Sequence, residues 1–154
     1  MVDVSKDKKW GLEQEKIAIE YFKRTMGKKW LEFKPLGLYS HFDYCAHAPK
    51  TRKCCFVEIK SRRNNHDEYE ETIVPAIKIR KALALIDVGH KAYLVVNFLD
   101  GVYYQDMEKA SLRFDWNVRK DRGAFELGLY AFLNIKQFKK IKEIKNGRTK
   151  QKTI

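Results

Sequence analysis

The chain has 154 residues, of which 44% are apolar, so it is long enough to bury the core of one domain. Its formal net charge of +12 favours a polyanionic partner, nucleic acid before an acidic membrane surface. No stretch approaches the ~18 apolar residues of a membrane span. Three cysteines without a CxxC spacing argue against a disulfide framework. We therefore expect a soluble protein of a reducing compartment, the cytoplasm.

The first predicted element is a helix over residues 10–26. Apolar side chains recur at helical spacing along one stripe, which comprises Leu12, Ile19, Phe22 and Met26. Gly27 ends this pattern. Glu15 lies on the same stripe, where it is either a carboxylate at the fringe of the core or a functional group that the helix positions.

Three extended segments follow, over residues 30–38, 41–47 and 53–61. The first two are joined across "GLYSHF", and the three together are typical of a meander. The polar stretch "RRNNHDEYEE" that comes next is predicted to be a loop.

Pro75 opens a second predicted helix, which runs to Asp87 and ends before Gly89. Its apolar stripe consists of Ile79, Ala82, Leu83 and Ile86. The segment "KAYLVVNFL" has the strongest strand pattern of the chain and is predicted to be central, and "DG" turns it into "VYYQDM". The element order is αβββαβ, with a further strand and a helix from about Ile135.

Glu58 and Lys60 are polar residues in the third extended segment. Strand alternation places them with Phe56 on one face, while Cys55, Val57 and Ile59 occupy the other. Asp43 lies on the preceding segment, so pairing of the two segments would bring its carboxylate close to that of Glu58. Two neighbouring carboxylates repel each other unless a cation compensates them.

A divalent metal is the expected compensating cation. Mg²⁺ binds one or two carboxylates, waters and phosphate oxygens, so Asp43, Glu58 and the main-chain carbonyl of Ile59 are the candidate ligands. Mn²⁺ is expected to substitute. Lys60 would then stand beside the attacking water, where it could orient the water, help it lose a proton or stabilise the transition state.

Each of these residues also has a plain structural interpretation. Glu58 and Lys60 could form a solvated strand face, and Asp43 could be a turn residue. The combination of Asp43 on one segment, Glu58 and Lys60 on the next, and helices on either side favours a site.

These residues and their order resemble the PD-(D/E)XK nuclease superfamily. The resemblance is carried by Asp43, by "EIK" at 58–60, by the glutamate in "GLEQEKIAIEYF", and by "IVPAIKIRKALAL" and "KAYLVVNFL". The superfamily's proline before the aspartate is absent, because "HFD" stands there. The resemblance implies an α/β fold with a restriction-endonuclease-like αβββαβ core, in which helices flank a mixed central sheet. It also implies a Mg²⁺ site, in which Glu15 supports the metal ligands.

The charge distribution predicts where DNA would bind. The proposed contacts lie around the catalytic strand, on the second helix and in the tail: Lys50, Arg52, Lys53, Arg62, Arg63, Lys78, Lys81, Arg148, Lys150 and Lys152. We expect residues 1–145 to form a single nuclease domain and residues 146–154 to form a disordered basic tail.

The sequence thus predicts a Mg²⁺-dependent endonuclease that hydrolyses DNA phosphodiester bonds. Its site of action would be the cytoplasm, which would be the cytoplasm of the host if the protein is a phage product. No membrane partner is expected. A homodimer is the oligomer that the resemblance suggests. The alternatives are a catalytically silent nuclease fold that binds DNA, alone or as a subunit of a larger assembly, and a basic module that binds RNA or protein.

Overall fold

We describe a computed structural model of the protein, which covers residues 4–119 and 126–143. The two helices are α1 (Val4–Met26) and α2 (Ala76–Asp87). The nine strands of this part of the chain are β1 (Leu31–Pro35), β2 (Tyr44–His47), β3 (Cys54–Ser61), β4 (Glu71–Pro75), β5 (Lys91–Phe98), β6 (Gly101–Asp106), β7 (Arg113–Arg119), β8 (Glu126–Asn134) and β9 (Lys139–Glu143). Neither described helix has the length and apolar character needed to cross a membrane.

Six strands form a mixed central sheet in the order β1-β2-β3-β5-β6-β9. The β3–β5 pair is parallel and the other pairs are antiparallel. The predicted α/β class, the αβββ meander start and the central position of residues 91–98 are therefore confirmed. The connection from β3 to β5 runs through α2, as a parallel pair requires a crossover.

The two helices cover opposite faces of this sheet. Cys55, Val57 and Ile59 pack in one apolar cluster with Phe22 and other residues of α1. Phe56 packs against the second cluster, which includes Ile79 of α2. The strand alternation predicted for residues 55–60 is thus present, and it sends Glu58 toward α2.

Both helices end where glycines were expected to stop them. Gly27 and Gly89 have φ values of +57° and +93°, a left-handed conformation that glycine adopts without strain. The helix predicted from residue 10 begins at least as early as Val4. Two predicted stripe residues were assigned wrongly, since Leu12 is 52% exposed and Leu83 is also exposed. Each lies at the edge of its stripe, where the helix surface turns away from the sheet.

A second sheet was not predicted. It has three strands in the order β4-β8-β7, all antiparallel. Its first strand, β4, includes the last residue of the polar stretch that was expected to be a loop and continues to Pro75. β4 and the inner half of β8 join the α2-side core through Val74, Ala131 and Leu133.

The helix predicted from about Ile135 is wrong. Residues Ile135–Gln137 form one 3₁₀ turn, and β9 then pairs with β6. Phe138 is buried and Ile141 packs against the α1-side core. The apolar residue at every third position of this segment is compatible with a helix. The segment forms a strand because the open edge of β6 has backbone groups that need hydrogen-bond partners, and β9 supplies them. The predicted disordered tail, residues 146–154, lies outside the described residues.

Candidate active site

Asp43 lies immediately before β2 and is tied to β3 by two hydrogen bonds. Its backbone N–H donates to the carbonyl of Val57 at 2.9 Å. Its Oδ2 accepts from the backbone N–H of Ile59 at 2.7 Å. In the β2–β3 register Tyr44 faces Val57, so one further step places Asp43 opposite Glu58. The predicted approach of the two carboxylates on neighbouring segments is what the backbone pairing produces.

Glu58 is a buried carboxylate, only 5% exposed. Lys60 Nζ lies 2.9 Å from its Oε1, and Lys78 Nζ lies 3.4 Å from its Oε2. Lys78 also donates to the carbonyl of His41 at 2.6 Å, so it links α2 to the loop that carries Asp43. A buried carboxylate is costly unless cations or donors surround it, and these two lysines meet that need.

The Lys78 contact was not predicted from the sequence, which placed this residue among the DNA contacts. A signal was present, since Lys78 lies next to the buried Ile79 and four residues before the buried Ala82. Residues four apart share a helix face. A lysine so close to the buried face of α2 must find an anion or reach solvent.

Glu15 reaches the same site from α1. Burial, followed by the charges of Asp43 and Glu58, raises the pKa of Glu15 from an ordinary value of 4.5 to about 7, while Lys60 opposes the rise. Burial and then Glu58 also raise the pKa of Asp43, against the Ile59 hydrogen bond and the two lysines. The three carboxylates therefore share one electrostatic environment in which negative charge is in excess.

This excess predicts how stability depends on pH in the absence of metal. Between about pH 4.5 and 7 the folded chain holds a proton on Glu15 that the unfolded chain releases, so the free energy of unfolding falls as pH rises. Glu15→Gln removes the cost of ionising this carboxyl in the fold. After allowance for screening, we expect it to raise the free energy of unfolding at about pH 8 by on the order of 1 kcal/mol, or Tm by about 3 °C. At about pH 5 the gain should be almost nothing.

Differential scanning calorimetry in EDTA at the two pH values measures this gain. Glu13→Gln is the matched control, because Glu13 is an exposed residue two positions away on the same helix. A gain for Glu15→Gln that is equal at both pH values would contradict the shared environment.

The oxygen atoms of this site fit a hard divalent cation. Backbone N–H and C=O groups of one strand residue point to the same side, so the Ile59 carbonyl lies on the side where its N–H meets Asp43. Asp43, Glu58 and this carbonyl then form a set of oxygen donors of the kind that Mg²⁺ prefers. Burial and the neighbouring carboxylates raise the pKa values of Glu15 and Asp43, and a cation bound between them would offset both effects.

A comparison with protein families identifies the family of the chain. The family model described as "Phage putative PDDEXK endonuclease" matches residues 9–141. The chain belongs to this phage PD-(D/E)XK endonuclease family. A search of curated protein sequences gives no significant match. Among solved structures, the Holliday junction resolvase Hjc of the archaeal hyperthermophile Archaeoglobus fulgidus is similar over 80% of this chain and 83% of that chain, with 12% sequence identity and a TM-score of 0.49.

The basic residues predicted to bind DNA occupy several positions on this member of the PD-(D/E)XK family. Lys50, Arg52 and Lys53 are exposed in the loop between β2 and β3, and Lys81 is exposed on α2. The three residues of the tail, Arg148, Lys150 and Lys152, lie outside the described residues. The β2–β3 loop therefore presents three exposed basic side chains beside β3.

Arg62 and Arg63, which were also predicted to bind DNA, make contacts within the fold. Arg62 Nη2 donates to the carbonyl of Ile73 at 2.7 Å and so ties the end of β3 to β4. The guanidinium of Arg63 lies 4.7 Å from the ring centroid of Trp10 on α1. Both residues hold elements around the site together, a role that the sequence did not indicate.

A second group of potential metal ligands lies away from these carboxylates. Among the described residues, ligand atoms of His66, Asp67 and Asp100 all lie within 4.8 Å of one another. His66 donates its backbone N–H to Asp100 at 2.9 Å, contacts the same carboxylate through Nδ1 and stacks on Tyr103. These contacts fasten the loop after β3 to the β5–β6 turn, which accounts for the clustering in structural terms.

Proposed function

We propose that the protein is a Mg²⁺-dependent nuclease that hydrolyses DNA phosphodiester bonds. Membership of an endonuclease family supports the general activity. The observation that carries the finer proposal is the convergence of Glu15, Asp43, Glu58 and Lys60 on one site, joined by the Ile59 hydrogen bond and the Lys60–Glu58 contact. Mn²⁺ is proposed to substitute for Mg²⁺ because it accepts the same oxygen ligands.

Asp43, Glu58 and the Ile59 carbonyl are the proposed ligands of the metal. When bound, the ion supplies positive charge beside the scissile phosphate and makes water a better nucleophile at neutral pH. Glu15 would accept a hydrogen bond from a water on the helix side of the site. Burial and the charges of Asp43 and Glu58 raise the pKa of Glu15, and a cation bound nearby would favour its ionised form.

Lys60 is the proposed residue that acts on the reacting atoms. Its side chain is 28% exposed, and its ammonium nitrogen lies 2.9 Å from a carboxylate oxygen of Glu58, which orients the lysine in the site. Hydrolysis forms one P–O bond to water and breaks one P–O ester bond, and the leaving oxygen gains a proton while the water loses one. Lys60 donates hydrogen bonds that orient the water and stabilise the charge that builds on the phosphate.

DNA is the proposed substrate because of the charge around the site. The net charge of +12 and the exposed Lys50, Arg52 and Lys53 beside β3 favour a polyanion. We place the activity in the cytoplasm of the phage host, where the thiols of Cys45, Cys54 and Cys55 stay reduced.

The proposal is tested by incubating the pure protein with supercoiled, linear, single-stranded and four-way-junction DNA. We expect cleavage with Mg²⁺ or Mn²⁺ and none with EDTA. DNA binding without cleavage under any metal would favour a silent DNA-binding fold instead. Equal competition by RNA and heparin, again without cleavage, would favour a basic module that binds polyanions generally.

A further inference from the structure

The β7–β8 hairpin and the outer side of α2 carry a continuous exposed apolar surface, which we name the α2–hairpin surface. Trp116 pairs with Leu129 across the hairpin, so strand alternation sets their neighbours Phe114 and Leu127 on the same face. Its main residues are each between 42% and 67% exposed: Ile77, Leu83, Phe114, Trp116, Leu127 and Leu129. Soluble monomers rarely expose so many large apolar side chains together, and such a patch marks an interaction site.

One part of the surface is a groove, and another part lies outside it. Ile77 and Leu83 of α2 with Phe114 and Leu129 of the hairpin line a groove of about 600 Å³. Trp116 and Leu127 lie further along the hairpin, outside the groove, and are the most exposed of the six. A twofold axis can set the residues outside the groove of one copy against the groove of the other.

We propose that the α2–hairpin surface binds the same surface of a second copy, in a twofold homodimer. The groove is bordered by Arg80 and Asp87, which are seven residues apart on α2 and carry opposite charges. When a twofold axis sets two copies of α2 antiparallel, Arg80 of each copy faces Asp87 of the other. Under this symmetry, each positive charge at the border of one groove therefore meets a negative charge at the border of the other.

The size of the surface also fits a second copy. The exposed parts of the six side chains amount to on the order of 600 Å², close to the ~800 Å² that each partner buries in a stable complex. DNA does not suit so apolar a face. The end of this chain does not suit it either, because residues 144–154 contain only two apolar residues, Ile144 and Ile154. This inference stands independently of the proposed nuclease activity.

Sedimentation equilibrium of the full chain tests the proposal. We expect the wild-type protein to sediment at twice its 18.3 kDa mass. Trp116→Glu and Leu127→Glu should each raise the dimer Kd by at least ~100-fold, because they place a charge in a desolvated contact. Leu38→Glu is the control, since Leu38 is an 88% exposed leucine in the β1–β2 loop, and it should leave the Kd unchanged.

A charge exchange tests the antiparallel arrangement. Arg80→Glu and Asp87→Arg should each weaken the dimer by about 10-fold, and the double variant should return to within about 3-fold of the wild-type Kd. A wild-type chain that stays monomeric up to about 100 µM, or surface variants that dimerise like Leu38→Glu, would overturn the proposal. A double variant that remains as weak as the single variants would overturn the antiparallel twofold arrangement.

Discussion

Asp43→Asn and Glu58→Gln should each lower the rate of DNA cleavage by at least ~10²-fold, since loss of one charge-stabilising group costs about 3 kcal/mol or more in the transition state. Both variants keep the shape of the side chain and remove a proposed metal ligand. The rate should be measured with supercoiled plasmid at saturating DNA over a range of Mg²⁺ concentrations. Asp43 also accepts the Ile59 hydrogen bond, which asparagine can still accept through its amide oxygen.

The same two variants should differ in stability when metal is absent. The raised pKa of Asp43 means that its charge is unfavourable in the fold, so Asp43→Asn should raise Tm at neutral pH in EDTA. Glu58→Gln should lower Tm, because Lys60 and Lys78 would lose the carboxylate that both now contact. Opposite changes in Tm with a common loss of cleavage would separate a catalytic defect from misfolding.

Asp67→Asn is the control for metal binding, because Asp67 belongs to the second group of potential ligands and is exposed. It should leave the Mg²⁺ dependence of cleavage unchanged. If Asp67→Asn abolished cleavage while Asp43→Asn and Glu58→Gln did not, the metal would belong with His66 and Asp100, and the assignment of the site would be wrong.

Lys60→Gln should also lower cleavage by at least ~10²-fold, with DNA affinity in EDTA within a few-fold of wild type. The ammonium group of Lys60 contacts the buried Glu58. At this position one lysine contributes little to the overall attraction between the basic surface and DNA, but much to stabilising the charge on the reacting phosphate. Fluorescence anisotropy measures the affinity, and plasmid cleavage at saturating DNA measures the rate.

Lys53→Gln provides the matched comparison for Lys60. Lys53 is exposed one residue before β3, so its loss should weaken DNA binding and flatten the salt dependence by up to about 1 unit of slope, with little change in the saturating rate. Lys60→Gln should thus lower the rate of cleavage, whereas Lys53→Gln should lower the affinity for DNA. A Lys60→Gln enzyme that cleaves at the wild-type rate would remove Lys60 from the proposed mechanism.

Local patterns were sufficient to predict the framework of the site. The alternation in "CCFVEIKS" correctly separated Glu58 and Lys60 from Val57 and Ile59, because a strand has a side-chain period of two whatever its neighbours are. Gly27 and Gly89 marked the helix ends, since their left-handed φ values are a local property of the backbone. The order of the first helix, the first three strands, the second helix and the central strand followed from such short-range signals.

Other features depend on segments that are distant in sequence. Lys78 meets Glu58 only because α2 packs on β5, the neighbour of β3 in the sheet. Likewise, β9 forms only because β6 has an open edge beside it. The β7–β8 hairpin exposes apolar residues that alternation alone would have assigned to a core. Sequence periodicity predicts the face on which a side chain lies, whereas packing between distant segments decides what covers that face. For this reason the Lys78 contact, the last strand and the exposed hairpin surface could be recognised only in the tertiary structure.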